Sequence, residues 1–370
     1  MTFIITLIII ILFIYALIIM AFAFAWKGKQ NNANNSVVDN VLVSIIIAVR
    51  NEENNIENCI ASVLKQTYRN IEIIVIDDHS QDNTYSKITS LSKNNDKIRV
   101  YQLPDNLQGK KSALSYGVSN AKGDILFFTD ADCVINENHI SCMLGFMYEN
   151  NTDMLCGAVE FTDEKSILSK IFQLEFLSLT GSGAAGIFLK TPFMCNAANY
   201  LIKKDIFIKA ENQMNDKFSS GDDVFLLHYI SGAHKVDFIK NTCCIVKTKA
   251  PRNLNEFFNQ RIRWSSKAKA YKKPSAIITG ATVFFMSLSM IFVYAALIFG
   301  NNYSISLFLI ILCKILIDIS FLFPVLKFHK KTDLLWYIPV LQVFYPFYIV
   351  ITPVISFFYK PLWKNRHIKA

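Results

Sequence analysis

A chain of 370 residues that is 52% hydrophobic and 18% charged is too apolar for an ordinary soluble domain and too long for one small core. Its net charge of +9 gathers around Lys247 to Lys273 and at the C-terminal tail, both beside apolar blocks, which suits anionic lipid head groups and argues against a nucleic acid partner. The eight cysteines include adjacent Cys243 and Cys244 but no CxxC, which excludes a zinc site of the usual spacing and predicts reduced thiols in a cytoplasmic domain.

From the N-terminus, Thr2 to Ala25 carries no charge and exceeds the roughly 20 residues a helix needs to cross about 30 Å of hydrocarbon. It lacks the basic start and the cleavage site of a signal peptide, so it predicts a retained anchor over residues 1–26. Lys27 and Lys29 follow at once and place the next domain on the cytoplasmic side. Residues 27–40, rich in Asn, predict a linker.

From Val41 onward short apolar runs alternate with helical patterns: "VLVSIIIAV", a helix from Glu53 to Leu64, "IEIIVID", a helix near Tyr85 to Leu91, "KIRVYQL", a helix from Lys110 to Ser119, and "DILFFTD". β-Branched runs without polar alternation predict strands covered on both faces, hence a parallel sheet in a doubly wound α/β layout over residues 41–250. An interfacial segment, 251–274, leads into a membrane region, 275–360, with apolar blocks at Ala276 to Gly300, Ser304 to Leu326 and Leu334 to Tyr359. Lys314 and Asp318 stand one helical turn apart inside this region and predict a pair that either settles helix packing or serves transport. Pro339, Pro346 and Pro353 predict a broken or re-entrant last block, and a basic tail, 361–370, follows with Lys364, Arg366 and Lys369.

Three of the predicted strands end in clustered polar residues: "RNEE" at Arg50 to Glu53, "DDHSQDNT" at Asp77 to Thr84, and "TDADC" at Thr129 to Cys133. A single pair of acids after a strand is a cap or a turn. Three such ends in one sheet point to a crevice, because open α/β sheets bind ligands outside the carboxyl ends of their strands. In extended backbone, residues two apart face the same way, so Asp130 and Asp132 are expected to present their oxygens to one ligand. Carboxylates without nearby His or Cys suit Mg²⁺ or Mn²⁺, and such an ion shares its remaining positions with water and phosphate oxygens. The expected ligand is a diphosphate.

From Val41 to Trp264 the chain resembles the family-2 inverting glycosyltransferases, in their membrane-integrated form, through the ordered stretches "VSIIIAVRNEE", "VIDDHSQDNT", "GKKSAL", "FFTDADC", "CNAANYLIKKDIF", "SGDDVFLLH" and "QRIRW". The resemblance implies a GT-A, Rossmann-like nucleotide-sugar-binding domain flanked by transmembrane helices. It implies that Ala48, Arg50 and Glu52 line the nucleotide pocket and that Asp78 recognises uracil, although Arg50 and Asp77 are also placed to pair with each other. Lys110, or Lys111 in its stead, would lie near the nucleotide or its phosphates. Asp130 and Asp132 match the DxD motif, with Asp132 on the metal and Asp130 on the nucleotide sugar or metal. Asp222 and Asp223 read by themselves as a helix N-cap. The resemblance makes Asp223 the base that takes the acceptor proton, with Asp222 in place of the usual Glu. Gln260, Arg263 and Trp264 match QxxRW, for contact with acceptor and diphosphate; the same stretch reads as an interfacial helix with Phe257 and Phe258 in lipid. Two departures are Ala48 at a frequent proline and Ala197 at a frequent glycine.

The implied activity is transfer of a sugar from a nucleotide-diphosphate donor, foremost a UDP-sugar, to a lipid-linked or envelope-glycan acceptor, with Mg²⁺ or Mn²⁺, in a protein integral to the inner membrane with its catalytic domain cytoplasmic. The implied partners are this donor, the acceptor and membrane lipids. Alternatives are a processive polysaccharide synthase, a non-catalytic membrane scaffold that keeps the nucleotide fold, and a nucleotidyltransferase, which would release pyrophosphate.

Overall fold

The β-branched runs of the sequence become the centre of a sheet. The computed structural model describes residues 2–28, 40–162, 166–211, 222–300 and 303–358, together with 362–363 and 366–367. Lys29, linker residues 30–39, Ser220, Gly221 and the tail residues Lys364 and Lys369 lie outside the described residues. Helix α1 (Thr2–Gly28) is followed by β1 (Val43–Val49), α2 (Ile56–Leu64), β2 (Ile71–Asp77), α3 (Thr84–Lys93), β3 (Ile98–Gln102), α4 (Lys110–Ser119), β4 (Ile125–Phe128), α5 (His139–Glu149), β5 (Met154–Gly157) and β6 (Val159–Phe161). A long helix, α6 (Ile167–Phe188), precedes β7 (Tyr200–Lys203), α7 (Lys204–Glu211), α8 (Asp222–Ile230), β8 (Val236–Ile239) and β9 (Val246–Thr248). The chain continues with α9 (Leu254–Ser265), α10 (Pro274–Ile298), α11 (Ser304–Phe328) and α12 (Ile338–Phe358). One unit holds the strands with α2–α5, α7 and α8; the other holds α1, α6 and α9–α12.

In the α/β unit the strand order is β3-β2-β1-β4-β7-β5-β8. β1 runs parallel to β2 on one side and β4 on the other, with Val43 opposite both Ile71 and Ile125. β7 is antiparallel to β4 and to β5, so the sheet is mixed rather than wholly parallel as expected. Ile45 to Ile47, Ile73 to Ile76, Leu126 and Phe127 are fully buried, as strands covered on both faces require. Helix α4 lies close on β1 and β2, because a Cβ at Gly117 would stand 2.5 Å from Ile76 Cδ1 and 2.8 Å from Ile46 Cγ2. The chain passes from β1 to β2 and β3, then returns to β4 on the opposite side of β1. The carboxyl ends of β1 and β4 therefore flank a topological switch point, where such sheets open a binding crevice.

A buried polar pair ties the far half of this sheet together. Asn199 Nδ2 donates to Ala158 O at 2.7 Å and to Cys244 O at 2.9 Å, which turns Asn199 Oδ1 toward His139 Nε2, 3.1 Å away. Nε2 therefore carries the imidazole proton. Burial pushes the His139 pKa down to about 4, against the pull of the Asn199 bond.

In the helical unit, α1, α6, α10, α11 and the stretch Thr332–Phe358 containing α12 are each long and apolar enough to cross a membrane. The presence of α6 here differs from the sequence reading, which kept residues 41–250 in one domain. α6 packs against α1, α11 and α12 instead. A second correction concerns the last block: α12 is one continuous helix through Pro346 and Pro353, not a broken segment. Pro346 has no N–H for the carbonyl of Gln342, and the Tyr294 hydroxyl of α10 donates to that carbonyl at 2.9 Å in its stead.

Lys314 and Asp318 form the expected pair. Lys314 Nζ donates to Asp318 Oδ2 at 2.7 Å and to Gln342 Oε1 at 2.8 Å, Gln342 Nε2 also donates to Asp318, and Tyr15 OH donates to Asp318 Oδ1 at 2.7 Å. This network joins α1, α11 and α12.

Candidate active site

Arg50 follows β1, is 4% exposed, and donates through Nη1 to the carbonyls of Asp78 and of His79, the latter at 2.8 Å. The turns after β1 and β2 are thereby sewn to each other. Asn51 (φ 50°) and His79 (φ 54°) both sit in the left-handed region, which costs a non-glycine residue strain. Cross-turn bonds hold them there: Asn51 N donates to Ser80 Oγ at 3.0 Å, Gln81 N to Asn51 Oδ1 at 2.8 Å, and Asp78 N to Val49 O at 2.9 Å. Glu52 N donates to Thr84 Oγ1 at 2.8 Å, and Asn55 Nδ2 donates to Glu52 Oε2 at 2.6 Å. These turn contacts occupy residues 52–55, so α2 starts at Ile56 rather than at Glu53.

The buried Asp78 side chain reaches the third segment, accepting from Gly109 N at 3.1 Å. Gly109 has φ +91°, a conformation that suits glycine, and α4 begins at the next residue. Lys110 then places its ammonium on Asp130 Oδ1. Lys110 is thereby paired with Asp130, the first acid after β4. The ends of β1, β2 and β4 and the start of α4 are thus linked as Arg50, Asp78, Gly109, Lys110 and Asp130.

The DxD stretch differs from expectation in its backbone. β4 ends at Phe128, and Cys133 N closes a turn on Asp130 O at 3.1 Å, so Asp130 and Asp132 share a turn rather than one face of a strand. Both carboxylates nevertheless act on the same buried groups. Cys59 and Cys133 are pushed far above the usual thiol range, first by burial and then by Asp132 and Asp130, and Glu52 adds to the effect on Cys59. Cys59 Sγ also lies 3.5 Å from Asp130 O. The turn itself offers hard carboxylate oxygens at Asp130 and Asp132. That set fits Mg²⁺ or Mn²⁺ and not a thiophilic ion.

Asp223 lies in the first turn of α8 and is 8% exposed. Its Oδ2 accepts from Ala197 N at 3.1 Å and its Oδ1 from Val224 N at 2.9 Å. A main-chain N–H makes the Ala197 contact, so alanine serves there as glycine would. Asp222 opens the helix, but its side chain lies outside the described residues. Among the described residues no three His, Cys, Asp or Glu side chains are grouped to hold a metal ion, so Asp130, Asp132 and Asp223 make no three-carboxylate cage. A cation here would rest on the DxD pair, with its other positions left to ligand oxygens and water.

Ala48 is the penultimate residue of β1, opposite Ile76. Gln260, Arg263 and Trp264 lie on α9 in the helical unit. Phe257 does not face lipid: its ring stacks on Phe172 of α6 at 4.4 Å and meets Tyr348 of α12 edge-on at 5.5 Å. The sequence reading passed over Arg261, which is buried between the motif residues.

Residues 44–207 match the family model described as Glycosyl transferase family 2. Those residues, which run from β1 through β7, are similar to family-2 glycosyltransferases. Among curated proteins, the poly-β-1,6-N-acetyl-D-glucosamine synthase of Staphylococcus aureus (strain MSSA476) is 27% identical over 230 residues, covering 60% of this chain and 53% of that protein. The glycosyltransferase GlyG of Streptococcus pneumoniae serotype 4 is 32% identical over 123 residues, 33% of this chain and 40% of that one. The chain thus spans about half the length of the curated relatives it matches, or less. Among solved structures, the mannosyltransferase PcManGT from Pyrobaculum calidifontis, in complex with GDP-Man and Mn²⁺, is similar with a TM-score of 0.63 at 16% identity, covering 91% of this chain and 99% of that one. That likeness shows the fold, a mixed α/β, Rossmann-like sheet of the GT-A kind.

Proposed function

We propose that this chain is a membrane-bound inverting glycosyltransferase that moves a sugar from a nucleotide-diphosphate donor, most simply a UDP-sugar, to a lipid-linked or envelope-glycan acceptor. The observation that carries the reading is the Lys110–Asp130 contact at the switch point, joined through Gly109 and Asp78 to the Arg50 turn. The match to glycosyltransferase family 2 and the position of these contacts at the carboxyl ends of the strands support a nucleotide-diphosphate ligand.

In this reading Ala48, Arg50, Glu52 and Asp78 receive the nucleoside, and Lys110 meets phosphate oxygens once the donor competes for it. Asp132, with Asp130, would hold Mg²⁺ or Mn²⁺, which when bound offsets the charge gathering on the departing diphosphate. Asp223 takes the proton from the acceptor hydroxyl, whose oxygen attacks the anomeric carbon from the face opposite the diphosphate. The new glycosidic bond forms as the sugar–phosphate bond breaks, and configuration inverts. From side-chain chemistry alone, Arg263 is assigned to phosphate and Gln260 and Trp264 to the acceptor. α1 followed by Lys27 supports a cytoplasmic catalytic domain.

A processive synthase is the second reading, favoured by the polymer named for the Staphylococcus aureus relative. The test uses the full chain in detergent with UDP-GlcNAc, UDP-Glc or GDP-Man, Mn²⁺ or Mg²⁺, and extracted lipid. Release of nucleoside diphosphate that requires both metal and lipid is expected, and product mass separates one addition from many. No release from any donor, or release indifferent to EDTA, would sink the proposal.

A further inference from the structure

Helix α9 carries a buried basic side chain. Arg261 is 4% exposed, and its partner Glu175, on α6, is 1% exposed. Arg261 Nε donates to Glu175 Oε1 at 2.9 Å and its Nη2 to Oε2, a two-pronged fork on the carboxylate. Tyr348 OH of α12 donates to the same Oε1 at 2.7 Å. The remaining arm, Nη1, donates to Gln260 Oε1 at 2.6 Å. The guanidinium also lies over the Trp264 ring at 4.4 Å and the Phe257 ring at 4.5 Å.

One buried cation therefore touches two of the three QxxRW side chains. A buried ion pair is a poor device for stability, since desolvation consumes most of what the pairing returns. It is a good device for direction. Guanidinium only donates, so it accepts no amide of Gln260 turned the other way; Gln260 must point Oε1 at Arg261 and present its NH₂ elsewhere. The same group lies over one face of the Trp264 ring.

We propose that Arg261, held by Glu175 and Tyr348, is a positioning residue that fixes Gln260 as a hydrogen-bond donor and fixes the plane of Trp264, so that both meet an acceptor rich in hydroxyl or ring oxygens. This rests on the acceptor role given above to Gln260 and Trp264. The group that Gln260 meets is then a hydrogen-bond acceptor, a sugar or phosphate oxygen, and the work of Arg261 shows in acceptor use rather than donor binding.

The test uses full-length protein labelled with 5-fluorotryptophan in detergent, its four tryptophans giving four fluorine resonances. Trp264→Phe assigns the one of interest. Arg261→Lys keeps the charge and loses the fork; Glu175→Gln keeps the shape and loses the anchor. Both should shift or broaden the Trp264 resonance and leave the other three in place. Both should raise the half-saturating concentration of extracted lipid at least tenfold in UDP release from UDP-GlcNAc, with UDP-GlcNAc affinity within twofold of wild type. An unmoved Trp264 resonance overturns the proposal, as does a loss of activity matched by equal losses of donor affinity and thermal stability. If wild-type protein releases no nucleoside diphosphate from any donor, the functional reading fails, and the Trp264 resonance alone decides the positioning role.

Discussion

Replacing Asp223 by Asn tests the proposed base, and its contacts say how large each effect should be. Asp223 accepts one main-chain N–H on each oxygen, from Ala197 at 3.1 Å and from Val224 at 2.9 Å. An amide has one oxygen, so whichever way Asn turns, its NH₂ opposes one of these N–H groups. Leaving that donor unmet costs about 1–3 kcal/mol, which in a domain the size of the α/β unit that holds Asp223 lowers the melting temperature by roughly 2–4 °C per kcal/mol. Loss of the base is a separate and larger effect, about 10²- to 10⁴-fold in kcat. The two are told apart by measuring single-turnover nucleoside diphosphate release, UDP-GlcNAc affinity by calorimetry and thermal unfolding on the same preparation. Turnover should fall at least a hundredfold while the donor still binds and the melting temperature drops by only several degrees. A variant that keeps more than a tenth of wild-type turnover removes Asp223 from the role of base.

Lys110→Gln should weaken UDP-GlcNAc binding at least tenfold, about 1.4 kcal/mol, because Asp130 loses its cation and the phosphates lose a contact; calorimetry showing unchanged affinity would put Lys110 outside the donor site. His139 predicts a pH window. Its folded pKa, about 4, lies below the unfolded value of about 6.5, so the unfolded chain takes up the proton first. Its contribution is complete above about pH 6.5 and lost as pH falls toward 4, on the order of 3 kcal/mol in all. Urea melts between pH 7 and 4 should show a shallower acid loss for His139→Gln than for wild type, and equal slopes would contradict the assignment. Lys314→Met alone should destabilise by about 3–5 kcal/mol through the Asp318 charge left behind, whereas Lys314→Met with Asp318→Leu should recover part of that loss in thermal unfolding, the rest being kept by the Tyr15 hydroxyl and Gln342 amide left without Asp318; additive losses would mean the pair is not coupled.

The site half of the molecule was largely legible because its determinants are short-range. Each of β1, β2 and β4 is a continuous apolar run that ends in its own polar cluster, and consecutive βα units carry those ends to one edge of the sheet by topology alone. Helix α4 was read at both ends, since a glycine and an asparagine bound it. What escaped were features that depend on partners. The antiparallel insertion of β7 between β4 and β5 has no signal within "YLIK" itself. The turn at Asp130 to Cys133 depends on a main-chain bond that the residue types do not announce.

Misreadings of the helical unit share one cause. The sequence reading keeps residues 41–250 in one domain and names no apolar block over α6, a helix that carries Lys170 and Glu175. In the fold the Glu175 carboxylate is answered by Arg261, 86 residues away, and the pair helps to hold the helix in its unit. The prolines of α12 count in the sequence each as a broken hydrogen bond. The carbonyl freed by Pro346 is answered by Tyr294, 48 residues away. Lys314 and Asp318 were legible by contrast, because both partners stand four residues apart on one helix. The chemistry of the three cases is alike, a polar group made tolerable by a partner; only the length of chain between partners differs. In apolar helices, then, an isolated charge or proline is better taken as evidence for an unseen partner than as evidence against burial. Arg261, beside Gln260 in the motif and too costly to bury alone, was the visible half of such a pair.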